Sequence, residues 1–89
     1  MNKIRRKAVA KIITKLEELK NLRSEIYEML EEVKDEEQEA LDNMPYSLQE
    51  SERGQQMQEY IDTMDSVLSD LDLIDTESLG QQLEEITEG

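Results

Sequence analysis

The sequence predicts an all-α fold: an antiparallel, coiled-coil-like helical hairpin with a short third C-terminal helix, two hairpins then pairing into a helical bundle. Three observations predict it. Apolar residues recur at alternating spacings of three and four over most of the chain. The single proline, Pro45, and the first of three glycines, Gly54, fall within one short stretch, "NMPYSLQESERG". The 89 residues are 36% hydrophobic and 37% charged, with no Cys, His, Trp or Phe, a balance that suits exposed helices with narrow apolar stripes.

The first helix is expected from about Lys3 to about Asp42. Val9, Ile12, Leu16, Leu19, Arg23, Ile26, Leu30, Val33, Glu37, Ala40 and Met44 form a seam of a and d positions, widened by Ile13, Leu22 and Met29. Arg23 and Glu37 on that seam are expected near an edge, their charged ends extended to water; the other reading is that they fix register in an oligomer.

The corner is expected over residues 43–50. Pro45 disfavours helical geometry at Met44 and supplies no N–H to the ladder. Asn43 is a C-terminal cap candidate, Ser47 with Glu50 fits a capping box, and Ser51 is a second N-cap candidate. Gly54 weakens the turns that follow.

The second helix is expected over about 51–75, with Met57, Tyr60, Met64, Val67, Leu71 and Ile74 at seam spacing and Ile61 and Leu68 widening the stripe. The period breaks near Asp75. Thr76 can cap a short helix over about 77–87 that uses Leu79, Leu83 and Ile86, with Gly80 marking it as weak. The 89 residues are read as one helical domain. A turn centred near Pro45 pairs Leu30 with Ile61, Ile26 with Met64, Leu19 with Leu71 and Leu16 with Ile74, and puts Val9 near Leu83. Ile13, Leu22, Met29 and Leu68 are then left for a second hairpin to cover, so a homo-oligomer, a dimer first, is expected.

Charge is sorted along the chain. Residues 1–24 hold eight bases against Glu17 and Glu18, and residues 66–89 hold seven acids and no base. Residues 25–65 hold fourteen acids against Lys34 and Arg53, so most of the net charge of −13 gathers toward the corner. Such density repels and is not needed for folding. The bland reading is a solvated surface that keeps a thin bundle soluble. The sharper reading is a face for a basic protein partner, built by Glu28, Glu31, Glu32, Asp35, Glu36, Glu39, Asp42, Glu59, Asp62 and Asp65. The basic arm of Lys3, Arg5, Arg6, Lys7, Lys11 and Lys15 is expected to dock on the acidic C-terminal segment of its own chain or of a second copy. A nucleic-acid or membrane contact through this arm is the weaker alternative.

Nothing points to catalysis. His and Cys are absent, and carboxylates on thin helices have no concave pocket. The segment "DLDLIDTESLGQ" (residues 70–81) fits an EF-hand loop only at Asp70 and Asp72; Ile74, Asp75 and Gln81 fail at positions five, six and twelve. No enzyme activity, cofactor or metal site is expected. No apolar stretch is long enough for a membrane span, and Lys11, Lys15 and Glu17 break any leader-like apolar run, so a cytoplasmic protein is expected.

The stretch "VKDEEQEALDNMPYSLQESERGQQMQEYIDTMDSVLSDL", residues 33–71, resembles a run in small uncharacterised acidic helical proteins of bacteriophages and prophages. The pieces "DEEQEALDNMP" and "SLQESERG" carry the resemblance, which covers somewhat under half of the chain and leaves out the basic arm. It brings no assigned activity and no assigned site residues. It implies a phage or mobile-element setting, in which small acidic proteins often inhibit host machinery, including nucleic-acid-cutting defence enzymes. The expected function is therefore a non-enzymatic phage-type protein that binds a basic protein surface, inhibiting a host nucleic-acid-binding or defence enzyme by imitating nucleic-acid charge. The alternative is a homo-oligomeric coiled-coil assembly or virion protein.

Overall fold

The computed structural model describes residues 1–88 and is all-α, with no strand among the described residues. It is a helical hairpin with a short further helix. Four helices follow in order: α1 (Lys3–Asp42), α2 (Tyr46–Gln49), α3 (Glu52–Asp72) and α4 (Thr76–Glu88).

Each boundary has a local cause. The Asn2 side-chain oxygen accepts from the Arg5 N–H at 2.9 Å and caps the start of α1. The last turn of α1 tightens: Asn43 N–H donates to Glu39 O at 3.0 Å, and Met44 N–H donates to Leu41 O at 3.1 Å. Asn43 does not end the helix in a left-handed cap, since no non-glycine residue among those described has a positive φ. The Gln49 amide closes the end instead, donating to Met44 O at 2.9 Å and Asp42 O at 3.4 Å.

Pro45, at φ −56° and ψ 145°, opens the single turn of α2, and its carbonyl accepts from Leu48 N–H at 2.8 Å. Ser47 sits within that turn and caps nothing, so the capping box with Glu50 is not formed. Ser51 is the N-cap of α3, accepting from Gly54 N–H at 3.4 Å. Gly54 is buried for a steric reason: a Cβ there would stand 2.6 Å from the Gln49 carbonyl carbon and 2.7 Å from Leu48 O. The residue that reads as a weak point is the one that lets α2 and α3 touch. Asp75, not Thr76, caps α4, accepting from Ser78 N–H at 3.0 Å; Thr76 is the buried first residue of that helix.

The chain divides into two compact units. One holds Met1–Glu25 with the chain from Ile74 onward; the other holds Ile26–Leu73. In the first unit the start of α1 packs on α4, and Lys20 reaches Glu77. In the second the rest of α1 lies antiparallel to α3, and the Lys34 ammonium stands 2.6 Å from the Asp65 carboxylate.

These pairs correct the expected register. A corner centred on Pro45 would set Lys34 opposite Gln56 and Lys20 opposite Asp70. The observed partners lie about two helical turns further along α3 and α4. The cause is α2, which takes up residues 46–49 and moves the centre of the turn past the proline.

The seam is also rotated. On α1 the covered positions are Arg6, Val9, Ile13, Leu16, Lys20, Arg23, Tyr27, Leu30, Lys34, Glu37, Gln38 and Leu41, with Met44 covered just beyond its end, while Ile12, Leu19, Ile26, Val33 and Ala40 are exposed. On α3 Gly54, Met57, Ile61, Met64, Leu68 and Leu71 are covered, and Tyr60 and Val67 are exposed. Each stripe is wide enough to hold two overlapping heptad seams, and a two-helix contact covers one of them. The covered choice places Leu41 rather than Ala40 inward and brings Lys34 onto Asp65. Leu41, Ile61 and Leu68 are the buried apolar side chains among the described residues, and none of the three is fully sealed from solvent.

Candidate functional site

The unit Ile26–Leu73 holds all ten carboxylates of the expected acidic face, and all ten are exposed. Successive helical residues turn by about 100°, so the residue after each covered position lies on one flank of the contact and the residue before it on the other. On α1 the covered Tyr27, Leu30, Lys34, Gln38 and Leu41 are followed by Glu28, Glu31, Asp35, Glu39 and Asp42. Glu32 lies one step further round the same flank. On α3 the buried Ile61 is followed by Asp62. Two antiparallel helices are related by an axis perpendicular to their common plane, which maps each side of the pair onto itself. Asp62 therefore shares a side with the α1 carboxylates.

Thus Glu28, Glu31, Glu32, Asp35, Glu39, Asp42 and Asp62 belong to one surface. Two expected members do not, and a third, Asp65, follows the covered Met64 onto this side but is engaged by a base. Glu36 lies on the far side of α1, beside the exposed Met29 and Val33. Glu59 sits on the outer side of α3, in a shallow hollow with Glu52, Arg53, Gln55 and Gln56. Asp65 is held by Lys34, and the hydrogen bond from that ammonium to Asp65 raises the Lys34 pKa above 10.5.

Two glutamines absent from the expected site order it. Gln38 donates to Asp42 Oδ1 at 3.0 Å, and Gln58 donates to Asp62 Oδ1 at 2.9 Å. Both are Gln-to-Asp steps of four residues, a helical spacing at which such side chains meet. That spacing is readable in the sequence once the flank is known. Gln38, Leu41, Asp42, Gln49, Gly54, Gln55 and Gln58 line an open hollow at the corner end of this surface.

The basic arm lies in the other unit. Lys3, Arg5, Lys7, Lys11 and Lys15 are exposed, and Arg6 is half-buried with its Nε covered and without a hydrogen-bond partner. Lys15 pairs with Glu18 of its own helix at 3.2 Å. Among the described residues no ion pair joins these six bases to Glu84, Glu85 or Glu88, which are exposed; the cross-helix pair of this unit is Lys20 with Glu77. Glu77 also lines a hollow with Ile13, Leu16 and Thr76.

Among the described residues no group of three or more Asp or Glu side chains is placed to hold a metal ion, and no helix is long and apolar enough to cross a membrane. The like-charged surface keeps its carboxylates spread along a helix flank, where they can meet an extended cationic surface rather than converge on one ion. No protein-family model, curated protein or solved structure matches the chain.

Proposed function

We propose that this chain is a non-enzymatic binding protein whose acidic flank takes a basic protein surface. The observation that carries the reading is the gathering of seven exposed carboxylates on one side of the α1–α3 pair. The helix contact does not use them, and they repel one another at three- and four-residue spacing. Carboxylates repeating every turn of α1 are sparser than duplex DNA, which carries one negative charge per about 1.7 Å of axis. They suffice to compete for a groove that binds phosphates by charge. In the phage or mobile-element setting that the sequence resembles, the partner class is a host nucleic-acid-binding or defence enzyme, held in an inhibited state.

The test is affinity capture from a bacterial lysate at low and at high salt, with the natural chain and with a variant in which Glu28, Glu31, Glu32 and Glu39 become Gln and Asp35, Asp42 and Asp62 become Asn. The reading expects a nucleic-acid enzyme that the natural chain captures at low salt, that salt releases, and that the variant does not capture. Capture of copies of the chain alone, unchanged by salt and by the variant, favours the second reading: a self-assembling structural protein whose acids keep it solvated. The exposed apolar flank opposite the carboxylates supports that second reading.

A further inference from the structure

The flank opposite the carboxylates carries a run of exposed apolar side chains. The residues that precede the covered positions include Ile26, Met29, Val33 and Ala40 on α1 and Tyr60 and Val67 on α3, interspersed with Glu36, Glu37, Arg53, Gln56, Thr63 and Asp70. The apolar ones are all exposed, Met29 at 68% and Val33 at 52%. By the same symmetry of an antiparallel pair, they share one side of the unit Ile26–Leu73. One side of this unit is thus strongly acidic, and the other holds a set of exposed apolar side chains among a few charges. Ile26, Met29 and Val33 keep a and d spacing among themselves, as do Tyr60, half-covered Met64 and Val67. This is the heptad seam that the hairpin contact left over.

We propose that a second copy of the chain covers this apolar side, joining the Ile26–Leu73 units of two chains through Ile26, Met29, Val33, Tyr60 and Val67. Three observations select a second copy. The first is charge. Glu36, Glu37, Arg53 and Asp70 are charged residues on this flank, fewer acids than the opposite side carries, so two copies meet here with less opposition of like charge than across the carboxylate-rich surface. An anionic membrane would be repelled by a unit with this charge. The second is area. Five large side chains, each about half exposed at roughly 200 Å² apiece, offer about 500 Å² per copy. Two copies bury about 1,000 Å², the lower bound for a specific interface. The third is the core: Leu41, Ile61 and Leu68 are its buried apolar side chains, with no disulfide to reinforce it. A helical pair this thin reaches ordinary stability by joining another. The proposal gives the self-association expected from the sequence a defined face. It stands apart from the acidic-flank reading, since the two use opposite sides.

The test is sedimentation equilibrium and concentration-dependent melting of the natural chain, of a Val33→Glu/Val67→Glu variant, and of a Glu32→Gln/Glu39→Gln variant. The natural chain and the Gln variant should both weigh twice the chain mass of 10.4 kDa, with melting temperatures that rise with concentration. The Val→Glu variant should lose that dependence and weigh one chain. Because the chain has no cysteine, single Val33→Cys and Glu32→Cys variants carrying a spin label give a second reading that does not rely on disrupting the core. The Val33→Cys label should show a short inter-copy distance, and the Glu32→Cys label a longer one. A natural chain that weighs 10.4 kDa at all concentrations tested, or a dimer whose Glu32→Cys labels are the closer pair, overturns the proposal. Loss of partner capture in the Gln variant with dimer mass retained separates failure of one reading from failure of the other.

Discussion

Gly54 and Gly80 have the same side chain and opposite consequences. A Cβ at Gly54 would press on the backbone of Leu48 and Gln49, which cannot turn aside as a side chain can. A Cβ at Gly80 meets nothing within 4 Å. Gly54→Ala should therefore destabilise the chain by about 1–3 kcal/mol, as overpacking does. Gly80→Ala should stabilise it by about 0.5–1 kcal/mol by reducing the entropy lost when α4 forms. Urea melts with unchanged slope would read both. Sequence alone treats the two positions alike, because helix propensity is a local property and the obstacle at Gly54 is another segment of backbone. Asp42 and Asp62 show the reverse case: their Gln partners at four-residue spacing were legible, but only the structure says which flank they face.

The three longer helices were legible because apolar periods are local; of their N-caps only Ser51 stands out in the sequence. Asn2, Ser51 and Asp75 each present a side-chain oxygen to an N–H three residues on, the arrangement a helix start requires. The competing candidates, Ser47 and Thr76, lie inside α2 and α4. Asp75→Ala should cost about 1 kcal/mol and Ser51→Ala a comparable or smaller amount, whereas Ser47→Ala should stay within about 0.5 kcal/mol. Melting the three variants side by side checks the order, and a Ser47 effect equal to that of Asp75 would contradict it. Register was not legible. The four residues of α2 show no apolar period, so nothing in the sequence says that the corner holds an extra helical turn rather than a tight loop. The rotation of the seam was hidden for a related reason. Ile12 and Ile13, or Ala40 and Leu41, serve equally well as a heptad pattern, and only the opposing helix chooses between them.

At the scale of the whole molecule the uneven charge is the dominant feature, and its count was available from the sequence. What was missing was its direction: six members of the expected site share a flank of α1, Asp62 joins them from α3 together with the Lys34-paired Asp65, and Glu36 and Glu59 do not. This arrangement makes a sign prediction about salt. Lys20 with Glu77 and Lys34 with Asp65 are attractive contacts that salt weakens. Against them, Glu28, Glu31, Glu32, Asp35, Glu36, Glu39 and Asp42 each have a like charge three or four residues away, and every such pair costs about 0.2–0.5 kcal/mol. With a net charge of −13, repulsion should win. Raising sodium chloride from about 0.01 M to about 1 M shortens the screening length from about 30 Å to about 3 Å and should raise the melting temperature of the natural chain. The Glu28→Gln/Glu32→Gln/Asp35→Asn/Glu39→Gln variant should melt higher than the natural chain at low salt and respond less as salt is added. The curves of the two proteins should converge at high salt, where screening has already done to the natural chain what the substitutions do to the variant. A melting temperature that falls with salt in both would mean that the attractive pairs outweigh the acidic flank, and that its carboxylates are too well solvated to strain the helix.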